Sequence, residues 1–233
     1  MQNSISKSKE TIESMFDEIA PSYDKLNHLF TLNIDIKWRK EIIKYLSKKK
    51  FHPYHILDLA SGTGDLTKQL LNLNPQRIFS ADISKNMLEI QRKKISDKRL
   101  SLVHADALNL QFPDNSFELV TIGFGVRNFE NLVGSLKEIY RIMKSDAKLV
   151  ILEMFRSGGL KTKMFNLYFG KVMPLIGNKI SGSKYAYSYL FKSVNNFYSL
   201  NDFIKICEDC GFELELRKNN LLDIVNTVYL VKS

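Results

Sequence analysis

One turn constrains this chain more than any other feature: Asp58-Leu-Ala-Ser-Gly62-Thr63-Gly64-Asp65, set between an apolar run and a helical pattern. His55 to Ala60 reads as a buried strand and Asp65 to Leu73 as the helix after it. Glycines between a strand and a helix let the backbone adopt angles closed to other residues and approach a ligand closely. Asp82 follows about 20 residues on, at the end of the next apolar run, where a carboxylate can accept from ribose hydroxyls. The pattern is that of a β-α-β nucleotide-binding unit.

The rhythm continues beyond it. Arg77 to Ala81 reads as a second strand, Ser84 to Ile95 as a helix with Ser84 as N-cap, Leu100 to His104 as a third strand and Phe117 to Gly123 as a fourth. Glu130 to Met143 is expected to be a helix and Lys148 to Met154 a fifth strand. Such alternation predicts an α/β fold, with a parallel sheet covered by helices on both faces. Ser199 to Cys210 reads as a helix stopped at Gly211, and Phe212 to Leu216 and Ile224 to Val231 as closing strands. A single domain over residues 1–233 is expected: a helical extension (1–50), a cofactor-binding core (51–154), a lid insertion (155–198) and a closing helix and strands (199–233).

Composition narrows the function classes. With 44% apolar and 25% charged residues the chain is globular, and no apolar run approaches the roughly 20 residues a bilayer span requires. Met1 to Glu10 is polar and lacks a secretory signal, and two cysteines cannot build a disulfide framework, so a cytoplasmic location is expected. Cys207 and Cys210 sit at a helix end that disfavours thiolates, no second pair completes a zinc set, and His28, His52, His55 and His104 share no ligand spacing. No metal is expected. The excess of 34 basic over 25 acidic residues suits an anionic surface. No RNA-binding module accompanies it, so nucleic acid is not an expected partner.

The ligand can be narrowed by its charge. A dinucleotide fingerprint wants a third glycine at position 67, where this chain has Thr67, and a pyrophosphate would face Asp58 and Asp65. S-adenosylmethionine carries a sulfonium and an ammonium group and no phosphate, which suits an acidic turn. Asp106, after the third strand, can accept from an adenine amino group, and the Ala107 N–H can donate to the ring. Asp58, Gly62, Asp82, Asp106 and Ala107 are therefore candidate cofactor-binding residues.

Further motifs fall outside that core: Met15-Phe-Asp-Glu-Ile-Ala-Pro-Ser-Tyr23-Asp24, Trp38-Arg39, Phe112-Pro-Asp-Asn-Ser-Phe117, Thr121-Ile-Gly-Phe-Gly-Val-Arg127-Asn128, Leu152-Glu-Met154, Met173-Pro-Leu-Ile-Gly177 and Tyr187-Ser-Tyr-Leu190. With these, the chain closely resembles the C-methyltransferases of menaquinone and ubiquinone biosynthesis over nearly its whole length. The resemblance implies a class I S-adenosylmethionine-dependent methyltransferase fold, Rossmann-like, with a seven-stranded sheet whose last strand is antiparallel. It implies cofactor contacts at Thr63, Asp82 and the Asp106–Ala107 pair. Gly123 stands where some members have Ser, so that contact is not carried over. Lys144-Ser-Asp-Ala147 replaces a Lys-Pro-Gly-Gly turn, Asp223 a usual Gly, Val228 a frequent His and Lys192 a common Glu.

The implied reaction is C-methylation of a prenylated quinol, demethylmenaquinol to menaquinol first, with the benzoquinol precursor of ubiquinone as the alternative. A quinol ring is nucleophilic at carbon when a neighbouring hydroxyl ionises, so a fixed cation just beyond the fourth strand is well placed. Arg127 is expected to stabilise that charge, with Asn128 and Tyr23 positioning the ring; Asp65 reads equally as a base and as a helix-dipole residue. The aromatic and lysine-rich stretch from Phe155 to Phe197 could cover the ring and touch lipid headgroups, which adds peripheral contact with an anionic membrane to the expectations. Two rival classes stay open, another small-molecule or RNA methyltransferase on this fold and a non-catalytic assembly subunit.

Overall fold

The computed structural model describes residues 8–158 and 186–233. Its sheet has seven strands: β1 (His55–Leu59), β2 (Arg77–Asp82), β3 (Leu100–His104), β4 (Phe117–Gly123), β5 (Met143–Met154), β6 (Phe212–Leu221) and β7 (Val225–Lys232), in the order β3-β2-β1-β4-β5-β7-β6. The first five are parallel, and β7 runs antiparallel between β5 and β6. The chain walks outward from β1 to β3 and then returns to the other side of β1. Strands that diverge in this way leave a crevice at their carboxyl ends.

Helices α1 (Lys9–Ile19), α2 (Tyr23–Phe30) and α3 (Ile34–Lys48) precede the sheet; α4 (Asp65–Leu70), α5 (Lys85–Lys94) and α6 (Leu132–Ile142) connect its parallel strands. Ala186–Asn195 forms α7 and Leu200–Asp209 forms α8. Successive strand residues point to opposite faces, so the central strands fill two cores. Ile56, Leu119 and Val150 pack with Trp38, Ile42 and Leu46 of α3, whereas Leu57, Val120 and Ile151 pack with Leu136, Ile139 and Phe203.

Polar caps set several helix starts. Ser84 accepts from the Met87 N–H at 3.1 Å, and Ser199 from that of Asp202 at 3.2 Å. Asn131 accepts from the Gly134 N–H at 2.9 Å, which starts α6 two residues after the expected Glu130. The fifth strand begins at Met143 rather than Lys148. Asp146, at φ 61°, bends it from within, and the register with β4 shifts between Phe117 and Leu119. The replaced Lys-Pro-Gly-Gly turn is thus an irregularity within β5, where Asp tolerates the left-handed region. β6 runs past Leu216 to Leu221 because β7 pairs with it to the hairpin tip, where Asp223 takes φ 61°. Val228 is buried in β7 and Lys192 is exposed. Cys207 is buried, which pushes its thiol well up, and Cys210 ends α8. Most of the expected lid insertion lies outside the described residues.

Candidate active site

A cavity opens at the carboxyl ends of the strands. Gly62 enters it from the turn after β1, Asp82 from the end of β2, Asp106 and Ala107 from beyond β3, Phe124 and Asn128 from beyond β4, and Tyr23 from α2. The turn after β1 depends on glycine at Gly64, which has φ 88°; a Cβ there would come within 2.7 Å of the Gln91 side chain. The Gly62 N–H donates to Asp82 Oδ2 at 2.7 Å and the Ser84 N–H to Oδ1 at 2.8 Å. These bonds fix the carboxylate and leave it spare lone pairs. Burial raises the Asp82 carboxyl above its ordinary range, with the backbone N–H groups of Ser84, Gly62 and Ile83 pulling the other way.

Asp58 lies beneath this turn rather than in the cavity wall. Its Oδ2 accepts from the Thr67 hydroxyl at 2.6 Å and its Oδ1 from Thr121 at 2.7 Å. Gln91 donates to both Thr67 and Ser80, so one buried network ties β1, β2, β4, α4 and α5 together. Thr67, where a dinucleotide fold would carry glycine, is needed here for its hydroxyl. Burial pushes the Asp58 carboxyl up to about 6 against the two hydroxyl bonds.

Thr63 is turned toward the N-terminal helices. Its hydroxyl donates to Asp24 of α2, and Lys94 pairs with both Asp24, at 2.7 Å, and Asp65. His28 sits 2.9 Å from Asp35 and 3.4 Å from Asp65, and Arg39 bonds Asp35 at 2.5 Å. The contacts of Lys94 and His28 with Asp65 and Asp24 latch the N-terminal helices onto the glycine turn. The ligand atoms of His28, Asp35 and Asp65 lie within 4.8 Å of one another, a grouping that sequence spacing did not reveal. Arg39 and Lys94 supply positive charge there, and the i,i+4 pair Asp35–Arg39 was the one legible sign of it.

Arg127 lies in a short 3-10 turn, Val126–Asn128, behind the cavity wall. Its guanidinium pairs with the wholly buried Glu153 of β5, and Nε donates to Ser193 Oγ at 3.2 Å. Its backbone N–H reaches Glu153 Oε2 at 3.3 Å. Asn128 does line the cavity, and its Oδ1 accepts from the Tyr189 hydroxyl at 3.0 Å. Burial raises the Tyr23 phenol above its ordinary value, and the Arg127 charge opposes that shift.

The charge of the wall discriminates between ligands. Asp82, Asp106 and Glu130 line the cavity against a single basic residue, Lys9, among the described residues. That donor set is wrong for a pyrophosphate and fits a nucleoside carrying positive charge, as S-adenosylmethionine does. The ubiE/COQ5 methyltransferase family model matches residues 3–227. The chain belongs to that family.

Relatives span most of the sequence. The demethylmenaquinone methyltransferase of Bacteroides fragilis is 40% identical over 197 residues, covering 82% of this chain and 80% of that relative. Proteins of the same name from Chlorobaculum tepidum and Thermotoga maritima are 39% and 36% identical, each over 89% of this chain and 86% and 90% of the relative. Among solved structures, a SAM-dependent methyltransferase from Thermotoga maritima aligns with a TM-score of 0.67 at 18% identity, covering 95% of this chain and 99% of that one. One from Aquifex aeolicus aligns at 0.57 and 17% identity over 77% and 82%. These confirm the class I methyltransferase fold. This family member is accordingly a methyltransferase that uses S-adenosylmethionine.

Proposed function

We infer that this family member methylates a ring carbon of a demethylated, prenylated quinol, with demethylmenaquinol as the leading substrate. The observation that carries the reading is the identity of 40% to a demethylmenaquinone methyltransferase over 82% of the chain. S-adenosylmethionine, when bound, supplies the methyl group on a sulfonium, a displacement that calls for no metal. Asp82 would hold its ribose, Asp106 and the Ala107 N–H its purine, and the Gly62 backbone would sit close beside it.

The acceptor side of the cavity has its own groups. Tyr189 engages Asn128 Oδ1, so the amide nitrogen is the end that can donate to a quinol oxygen. Tyr23, held neutral by its raised pKa, acts as a hydrogen-bond donor rather than a base. Arg127 has its guanidinium committed to Glu153, so its part is to fix the turn that presents Asn128 and to add positive potential behind it.

Contact with an anionic bilayer is part of the reading. Leu29, Leu32 and Ile34 are exposed at the α2–α3 turn, and the exposed Lys25 and Lys37 flank them. No described helix is long and apolar enough to cross a membrane. Turnover of demethylated naphthoquinol and benzoquinol carrying the same prenyl chain tests the substrate assignment. A preference for the naphthoquinol is expected, and equal turnover or a benzoquinol preference would overturn it.

A further inference from the structure

The turn between α2 and α3 carries a residue that the fold does not ask for. Leu32 and Asn33 take φ 51° and 62°, in the left-handed region where glycine and asparagine are at ease and leucine is not. Packing does not ask for the leucine either, because its side chain is 75% exposed. Leu29 and Ile34, on either side of it, are exposed as well. Three large apolar side chains this close together make an apolar tip.

The helix that follows has a second feature of the same kind. Lys37, Lys40, Lys44 and Lys48 recur every three or four residues, so they share one face of α3, and all four are exposed. Trp38, Ile42 and Leu46 hold the opposite face in the core. Glu41, the one acidic residue between these lysines in the chain, is taken by Lys218 of β6 at 2.8 Å. Like charges four residues apart repel and weaken a helix, so the stripe does not serve α3 itself. Its first turns stand at the cavity end of the molecule: the Trp38 ring lies 6.3 Å from that of Phe124, and the Arg39 guanidinium 5.6 Å from the same ring, which lines the cavity.

We propose that the outer face of α3, with the Leu32 tip at its start, is a docking surface for an anionic phospholipid bilayer, the tip entering the acyl region and the lysines lying over the headgroups. An apolar tip beside a basic stripe matches hydrocarbon beneath phosphate, whereas a nucleic acid would call for the stripe alone. This deepens the bilayer contact inferred above and rests on the acceptor carrying a prenyl chain, which must enter the cavity from hydrocarbon.

Flotation of the intact protein with vesicles of mixed phosphatidylcholine and phosphatidylglycerol, free of quinol, tests it. The wild type should float with these and not with phosphatidylcholine alone, and added salt should weaken the binding. Lys37→Gln/Lys40→Gln/Lys44→Gln is expected to lower the partition about 100-fold, roughly 5-fold for each lysine. Leu32→Gly should lower it about 10-fold with an unchanged or raised melting temperature, since glycine adopts this φ freely. Either variant binding as the wild type does, equal flotation on neutral vesicles, or retention of an oligonucleotide without flotation would overturn the proposal. A wild type that floats but methylates no prenylated quinol would sink the substrate reading and leave the docking surface standing.

Discussion

Arg127 and Glu153 form a buried ion pair directly behind the wall of the cavity, joining the turn after β4 to the end of β5. Removing one partner of such a pair leaves an uncompensated charge, at a cost of about 3–5 kcal/mol, whereas replacing both by apolar groups is often neutral. Arg127→Ala should therefore lower the melting temperature as well as kcat. Arg127→Met combined with Glu153→Leu separates the two effects. The double variant is expected to recover part of that stability, the Arg127 and Met154 N–H groups losing their acceptor, while kcat stays below wild type and donor affinity is preserved. Recovery of both would remove Arg127 from catalysis.

Asp82 holds the Gly62 and Ser84 N–H groups, so it serves the turn before any ligand arrives. Asp82→Ala should weaken S-adenosylhomocysteine binding by roughly 1.5–3 kcal/mol, the range of a charge-assisted hydrogen bond. An unchanged affinity in calorimetry would place the ribose elsewhere.

Asp58 leads to a pH prediction. Its folded pKa of about 6 exceeds that of an unfolded aspartate, so the folded state binds the extra proton and gains stability as the pH falls. That contribution is fully present below the unfolded pKa and is lost as the pH rises through the folded one. Between pH 8 and pH 5 the wild type should gain on the order of 1 kcal/mol relative to Asp58→Asn. Denaturant melts of both proteins at the two pH values measure it, and a constant difference would show that Asp58 stays ionised.

Much of this was legible in the residues and some was not. The glycine turn, the Ser84 cap and the strand cores follow from local chemistry, and all stand where the spacing put them. Asp58 and Thr63 were legible as members of the turn but not as its braces. The partners that turn them from the cavity, Thr121 and Asp24, lie 63 and 39 residues away in sequence. Local spacing carries no record of such pairs. The same holds for Arg127 with Glu153, 26 residues apart.

Tyr23 faces the cavity as a neutral phenol. Tyr23→Phe should reduce kcat roughly ten-fold, the loss of one hydrogen bond to a developing charge. The pH–rate profile should keep its shape, since a group that does not titrate in the working range contributes no limb to it. A limb lost with the hydroxyl would make Tyr23 the base.

Only a reduced ring has a hydroxyl that can ionise and push electron density onto carbon. Under strict redox control the quinol should be methylated and the quinone should not, and equal methylation of both would exclude a phenolate-driven transfer.

The most direct measurement is a single incubation of the protein with methyl-labelled S-adenosylmethionine and reduced demethylmenaquinol, with the product fragmented by mass spectrometry. The account predicts one labelled methyl group on a ring carbon for each donor consumed. Label on a quinol oxygen, or a donor that binds and is never consumed, would contradict it.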